Sequence, residues 1–326
     1  MWCIKLKERY VKFDNLKLFL IFLMIIGHCF EEVNMMGGYG LVRALIYSFH
    51  MPCFVFLSGY FTKAPIDIRK SIVNYLMPYF LFNTLYSIIT QHSVIVDLFT
   101  PQYIYWYLLS LFFWRLGVIV VREMKYVGAI AILIAIYIGM VGGADRFLSI
   151  SRTIAFFWIG YSKGRFVENI ARNINKRVAL WGVCVCLVAV SFAHYTEMVP
   201  VKMYEYSQSY YASGVSTLEG IGIRCFTLSV SFILVFLLLG LVPDRPFRFT
   251  GYGQNTLITY LLSGLFVKLI FWGLKAIPFF DKLFSVSVTL VVSCLVAILV
   301  ISFSNIKIIT RIYTYMMNGM VSFCLR

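Results

Sequence analysis

The chain has 326 residues, of which 61% are hydrophobic and only 13% charged. A soluble domain carries about 25% charged residues, so this composition excludes a soluble globular protein and makes lipid the solvent for much of the surface. The net charge of +15 raises the possibility of a nucleic-acid partner, which the distribution of that charge along the chain argues against below.

About ten apolar stretches follow one another, roughly 14–33, 40–61, 72–91, 103–121, 126–141, 149–162, 178–194, 221–242, 253–274 and 284–303. They are too long for membrane strands and do not alternate, so each predicts a helix. The sixth is short, and residues 304–326 read as a C-terminal tail. The first stretch follows the basic flank "KLKERYVK" but lacks the small-residue site of a cleaved signal peptide. With the N-terminus placed in the cytoplasm, 19 of the 29 Lys and Arg fall in cytoplasmic segments and 4 in outer ones. This is the positive-inside pattern, so the charge sets orientation and favours anionic lipid; it needs no nucleic acid. The expectation is an all-α, multi-pass protein of the cell inner membrane, about ten helices around a central polar cavity, with both termini cytoplasmic.

Polar groups inside membrane helices are costly and mark function by default. The first stretch, "LKLFLIFLMIIGHCFEE", carries Lys17 and His28 eleven residues apart, almost three turns, so both share one face. The second contains "SFHMPCFVFLSGYF", with His50 at nearly the depth of His28. Two histidines at matched depth above a same-face lysine predict a polar cavity. Glu31 and Glu32, one turn beyond, read as solvated loop acids, with reaching back to the ring as the second option. Arg152 and Arg224, near outer helix ends, read as snorkelling to headgroups. The tyrosine-rich loop 195–220 reads as resting on the interface, with lining an acceptor site as the second option. Ser58 and Gly59 suit close helix packing, and no G-x-S-x-G elbow surrounds the serine. The eight cysteines form no disulfide or zinc pattern, and no metal site is expected.

Several of these stretches together resemble the membrane-bound acyltransferase-3 family. "FDNLKLFLIFLMIIGHCFE" is similar to its first helix, with Lys17 and His28 as the basic residue and the histidine. "SFHMPCFVFLSGYF" resembles its second, with His50, Met51, Pro52, Ser58 and Gly59 in place. "YIYWYLLSLFFW" resembles its Trp-Phe-Leu segment through Trp106, "SRTIAFFWIGYSKGR" its late helix including Arg152, and "GQNTLITYLLSG" its penultimate helix through Asn255 and Tyr260. Two departures stand out. Asn74 and Tyr75 occupy the region before Pro78 where a second arginine is usual, and Ser263 stands where a histidine often ends the penultimate motif.

The resemblance implies one integral-membrane acyltransferase domain over residues 1–326, without the extra soluble domain of some relatives. It implies transfer of an acyl group, usually acetyl, from acetyl-CoA to a hydroxyl of an envelope or extracellular polysaccharide or its lipid-linked precursor. An alcohol attacking a thioester needs a base near neutrality, and imidazole is the usual one, so on this resemblance His28 is the expected general base and His50 its helper. Phosphates of the coenzyme suit basic side chains, so Lys17, Arg69, Lys70 and Arg115 are the expected coenzyme contacts. Trp106, Arg152, Asn255 and Tyr260 are the expected substrate contacts. The rival functions are a carrier or flippase for an envelope intermediate and a catalytically inactive scaffold.

Overall fold

The computed structural model describes residues 11–33, 38–92, 100–141, 152–278, 280 and 284–324. The basic flank ahead of the first helix and residues 149–151 of the expected sixth span lie outside these. Among the described residues the chain is helical, with no strand. Seven helical stretches are long and apolar enough to cross a membrane: α1 (Val11–Glu32), the pair α2 (Gly38–Tyr47) and α3 (His50–Phe61), α4 (Ile68–Gln91), α8 (Lys176–Tyr195), α9 (Thr217–Leu241), α10 (Thr256–Lys275) and α11 (Val286–Ser304). Two shorter apolar helices, α5 (Trp106–Val121) and α6 (Val127–Met140), precede α7 (Ile154–Arg172). The short sixth stretch of the sequence thus belongs to a longer helix, whose second half carries Lys163, Arg165, Glu168 and Arg172.

α1 is the central element. Leu16, Leu20, Ile25, Cys29 and Phe30 along it are fully buried, and it packs against α10, α11 and the α2–α3 pair. The outer helices invert the soluble pattern: Trp181, Val188 and Phe192 on α8 and Leu133 on α6 are largely exposed, as surfaces solvated by lipid tails require.

Two helix irregularities trace to proline. Pro52 has no N–H to give the carbonyl of Ser48 four residues earlier. The α2–α3 rod breaks at Ser48–Phe49, and the freed Ser48 carbonyl accepts instead from Ser231 Oγ on α9. His50 begins the helix immediately after this break. Pro78 likewise cannot donate to Asn74, and α4 widens over Ile72–Leu76 just before it.

α3 and α7 meet backbone to backbone. A methyl group built on Gly59 would stand 2.8 Å from the Tyr161 amide nitrogen, and one on Gly160 3.0 Å from the Phe56 carbonyl carbon. Only a hydrogen fits at either place, which lets the two helices approach as small-residue membrane seams do.

The alternation of helices gathers the start of α1, the ends of α3, α7 and α9 and the starts of α4, α6 and α10 at one end of the bundle. Phe13 lies 5.0 Å ring to ring from Phe61, and Asn15 donates to the carbonyls of Pro243 and Arg245 at 3.0 Å. Lys63, Arg69, Lys70, Arg122, Lys125, Lys163, Arg165, Arg245 and Arg248 fall here, and this is called the basic end below. The expected C-terminal tail is instead a further helix, α12 (Lys307–Cys324). Its Ile308, Ile312 and Tyr315 are exposed and its Met317 is buried.

Candidate active site

The half of the bundle away from the basic end holds a polar cavity of about 390 Å³, into which His28, His50, Trp106 and Tyr260 all project, together with Glu31 and Lys268. Four of the residues singled out in the sequence therefore share one chamber. His28 and His50 are brought together by the antiparallel pairing of α1 with the α2–α3 rod, and Tyr47 stands beside both. Its ring centroid lies 6.0 Å from that of His28 and 4.8 Å from that of His50.

The imidazoles are held by their Nδ1 atoms. His28 Nδ1 lies 3.2 Å from Glu31 Oε2 and 3.1 Å from Tyr47 Oη, while Tyr47 donates its hydroxyl hydrogen to Glu31 Oε1 at 2.6 Å. A carboxylate can only accept, so the arrangement places the His28 proton on Nδ1 and leaves the Nε2 lone pair for chemistry. His50 is fully buried, and its Nδ1 donates to the Ile46 carbonyl at 3.0 Å. Its Nε2 has no hydrogen-bond partner among the described residues. Among the described residues neither Nε2 has a hydrogen-bond partner, and this is the atom that can take a proton from a hydroxyl.

Glu31 and Glu32 differ from their reading as solvated loop acids. α1 runs on to Glu32, so both project from its last turn into protein. Arg43, fully buried on α2, stands 3.9 Å from Glu31 and is paired with Glu205. Glu32 is ion-paired with Lys268 and, at 3.2 Å, with Lys275, both on α10. The 195–220 loop follows the second of its two sequence readings, lining a site rather than resting on the interface. Its Lys202, Glu205, Ser207 and Gln208 line the cavity, and Tyr204, Tyr206 and Tyr210 are buried. The loop folds inward because its polar groups find partners there. Lys202 pairs with Glu205 at 3.1 Å. Arg224 donates to the Met203 carbonyl at 3.2 Å and lies 4.6 Å from the Tyr206 ring centroid. Arg224 and Arg152 are both fully buried, so neither reaches a headgroup.

Aromatic rings form the other wall. Tyr103 has a left-handed backbone (φ 47°) and stacks on Tyr86 at 5.5 Å, with its ring 5.1 Å from that of His28. Lys268 Nζ lies 5.5 Å from the Tyr103 ring centroid. The segment is fixed to α10 by Tyr105 donating to the Leu261 carbonyl at 3.0 Å and by Tyr260 donating to the Ile104 carbonyl.

The remaining sequence candidates lie outside this chamber. Lys17 pairs with Asp14 at 2.9 Å and stands 5.8 Å from the Phe61 ring centroid, at the basic end. Arg115 donates to Ser71 Oγ and Thr62 Oγ1 and lies over the Tyr75 ring. Arg69 and Lys70 are exposed, Lys70 with Asp67 3.9 Å away. Asn255 donates to Asn305 Oδ1 at 2.9 Å, joining α10 to the end of α11. Arg152 is enclosed at the start of α7. Ser58 donates to the Phe54 carbonyl and hydrogen-bonds Tyr107 at 2.5 Å.

A second, narrower cavity of about 100 Å³ adjoins the first. It is lined by Ile21, Phe54, Tyr107, Thr256 and Leu257, and shares Met24, Met51 and Tyr260 with the histidine chamber. Thr256 opens α10 at the basic end, and Ile21 lies seven residues before His28, about 10 Å down the helix. A polar chamber carrying two imidazoles thus adjoins a smaller, mostly apolar one through Met24, Met51 and Tyr260. The acyltransferase domain of the acyltransferase-3 family matches residues 10–305, and the chain belongs to that family. It is a multi-pass membrane acyltransferase. No curated protein and no solved structure matches it. Among the described residues no cluster of His, Cys, Asp or Glu has the make-up of a metal site.

Proposed function

We propose that the protein transfers an acyl group, acetyl foremost, from acyl-CoA to a sugar hydroxyl of an envelope or extracellular polysaccharide or its lipid-linked precursor. It sits in the inner membrane with its basic end and both termini in the cytoplasm. The coenzyme is a substrate made in the cytoplasm, and its phosphates meet the basic end, where Arg69, Lys70, Lys17 and Arg115 stand. Its slender arm reaches inward between Met24 and Met51. The acceptor enters the histidine chamber from the other side, against the faces of Trp106, Tyr103 and Tyr86 and the polar rim of Lys202 and Gln208.

The observation that carries this reading is the hydrogen-bonded set Glu31–His28–Tyr47 in the larger chamber, which shares Met24, Met51 and Tyr260 with its neighbour cavity. As the acceptor oxygen attacks the thioester carbonyl, its proton passes to His28 Nε2. The imidazolium so formed is stabilised by the Glu31 carboxylate through Nδ1–H. Collapse of the tetrahedral intermediate breaks the carbon–sulfur bond, and the same proton leaves with the thiol. His50 Nε2 accepts from the acceptor sugar and helps to orient it.

The test is thiol release from acetyl-CoA by the purified protein, with and without glycan extracted from the envelope. The expected result is acceptor-dependent release, with about 42 Da added per modified glycan repeat. Movement of glycan across a vesicle membrane without thioester consumption would establish a carrier instead.

A further inference from the structure

A groove of about 980 Å³ lies at the basic end between α6 and α7, beside the end of α3, well apart from both cavities described above. Lys63, Lys125, Lys163 and Arg165 surround its mouth. All four are exposed, and none is in an ion pair among the described residues. Among the described residues no carboxylate lines it. The nearby Glu168 is buried and is already taken by Arg172 Nη2 at 2.7 Å and by the Tyr60 hydroxyl at 2.5 Å. The other flank of the groove is apolar and runs along the membrane helices through Gly128, Ala129, Ile132 and Ile159. Gly128 keeps that flank open, because a methyl group there would stand 3.2 Å from Ile159 Cγ1.

We propose that this groove is a binding site for an anionic phospholipid of the leaflet at the basic end. The phosphate headgroup lies among Lys63, Lys125, Lys163 and Arg165, and an acyl chain follows the Ile132–Ile159 flank. Four cations outside ion pairs, one of them, Lys125, over the Tyr126 ring at 5.4 Å, stand beside an apolar flank at the basic end and have the chemistry that such a lipid requires. A free nucleotide would leave the apolar flank uncovered. The coenzyme of the proposed reaction is also a poorer fit on connectivity. The groove shares no lining residue with either cavity leading to His28. The seam between α3 and α7 that separates them is closed by the backbone contact at Gly59 and Gly160. The inference stands independently of the acyl donor and acceptor.

The test uses the detergent-purified full chain, titrated separately with phosphatidylglycerol and phosphatidylcholine of matched acyl chains and read by native mass spectrometry. The wild type should retain phosphatidylglycerol with about tenfold preference, and K125E/K163E/R165E should lose that preference. K125Q/K163Q/R165Q removes charge without reversing it and should lose most of the preference, which keeps the test readable if the reversal variant fails to fold. Equal retention of the two lipids by the wild type overturns the proposal, as does undiminished preference in a folded variant. Displacement of phosphatidylglycerol by excess 3′,5′-ADP also overturns it, by making the groove a nucleotide site.

Discussion

Glu31 Oε2 lies 3.2 Å from His28 Nδ1, one helical turn further along α1, and the Tyr47 hydroxyl bridges the two residues. The pair is built into a single helix, so its geometry is set by the i,i+3 spacing and needs no distant element to assemble it. What the rest of the fold adds is enclosure. Arg43 and Glu205 close the chamber behind the carboxylate, and Tyr103 and Trp106 form the facing wall.

Glu31→Gln retains an oxygen that can accept from His28 Nδ1 but removes the charge that stabilises the imidazolium. Acyl transfer should fall about tenfold to a hundredfold in kcat, with KM for acyl-CoA little changed, because the interaction strengthens only as the proton moves. Steady-state kinetics on purified variant and wild type would check this. A variant with wild-type kcat would remove Glu31 from the mechanism.

Met51 is shared by the two cavities. Met51→Trp fills the passage between them and should reduce transfer from acetyl-CoA by about tenfold or more, while Met51→Leu, of similar volume, should stay near wild type. The measurement is turnover of both variants at matched thermal stability. Equal rates in the two would mean that the thioester does not pass this point.

The donor prediction concerns Arg69 and Lys70, both exposed beside the end of α3 that leads back to His50. Arg69→Glu with Lys70→Glu should raise KM for acyl-CoA about tenfold, with a smaller change in kcat, since remote phosphate contacts are made equally in ground and transition states. The wild-type KM should also rise with salt, as screened charge contacts do. If charge reversal alters neither KM nor its salt dependence, the coenzyme phosphates bind elsewhere.

The spans were legible because lipid demands long apolar runs, and their order along the chain matches the helices found. Lys17, His28 and His50 stood out because each is a polar group within such a run. Their partners did not. The Glu32 pairing with Lys268 joins residues 236 positions apart, and the Arg43–Glu205 pairing joins residues 162 apart; no local spacing reveals either. A lone arginine near a helix end usually reaches for water, and for Arg224 only the inward fold of the segment that carries Met203 and Tyr206 supplies the alternative. The α3–α7 seam was half legible in Ser58–Gly59, while its other half, Gly160 and Gly164, meets it only in three dimensions. The amphipathic α12 was passed over because its apolar residues are spread over one face and never form a run.

The central claim is that His28 Nε2 takes the proton of the attacking hydroxyl. Its most direct test is acceptor-dependent thiol release from acetyl-CoA by His28→Gln, a substitution of similar size that can still hydrogen-bond Glu31 and Tyr47 but cannot act as a base. The account predicts a variant that expresses and folds as the wild type does and loses activity by about a hundredfold or more. Turnover close to wild type by folded His28→Gln would contradict it.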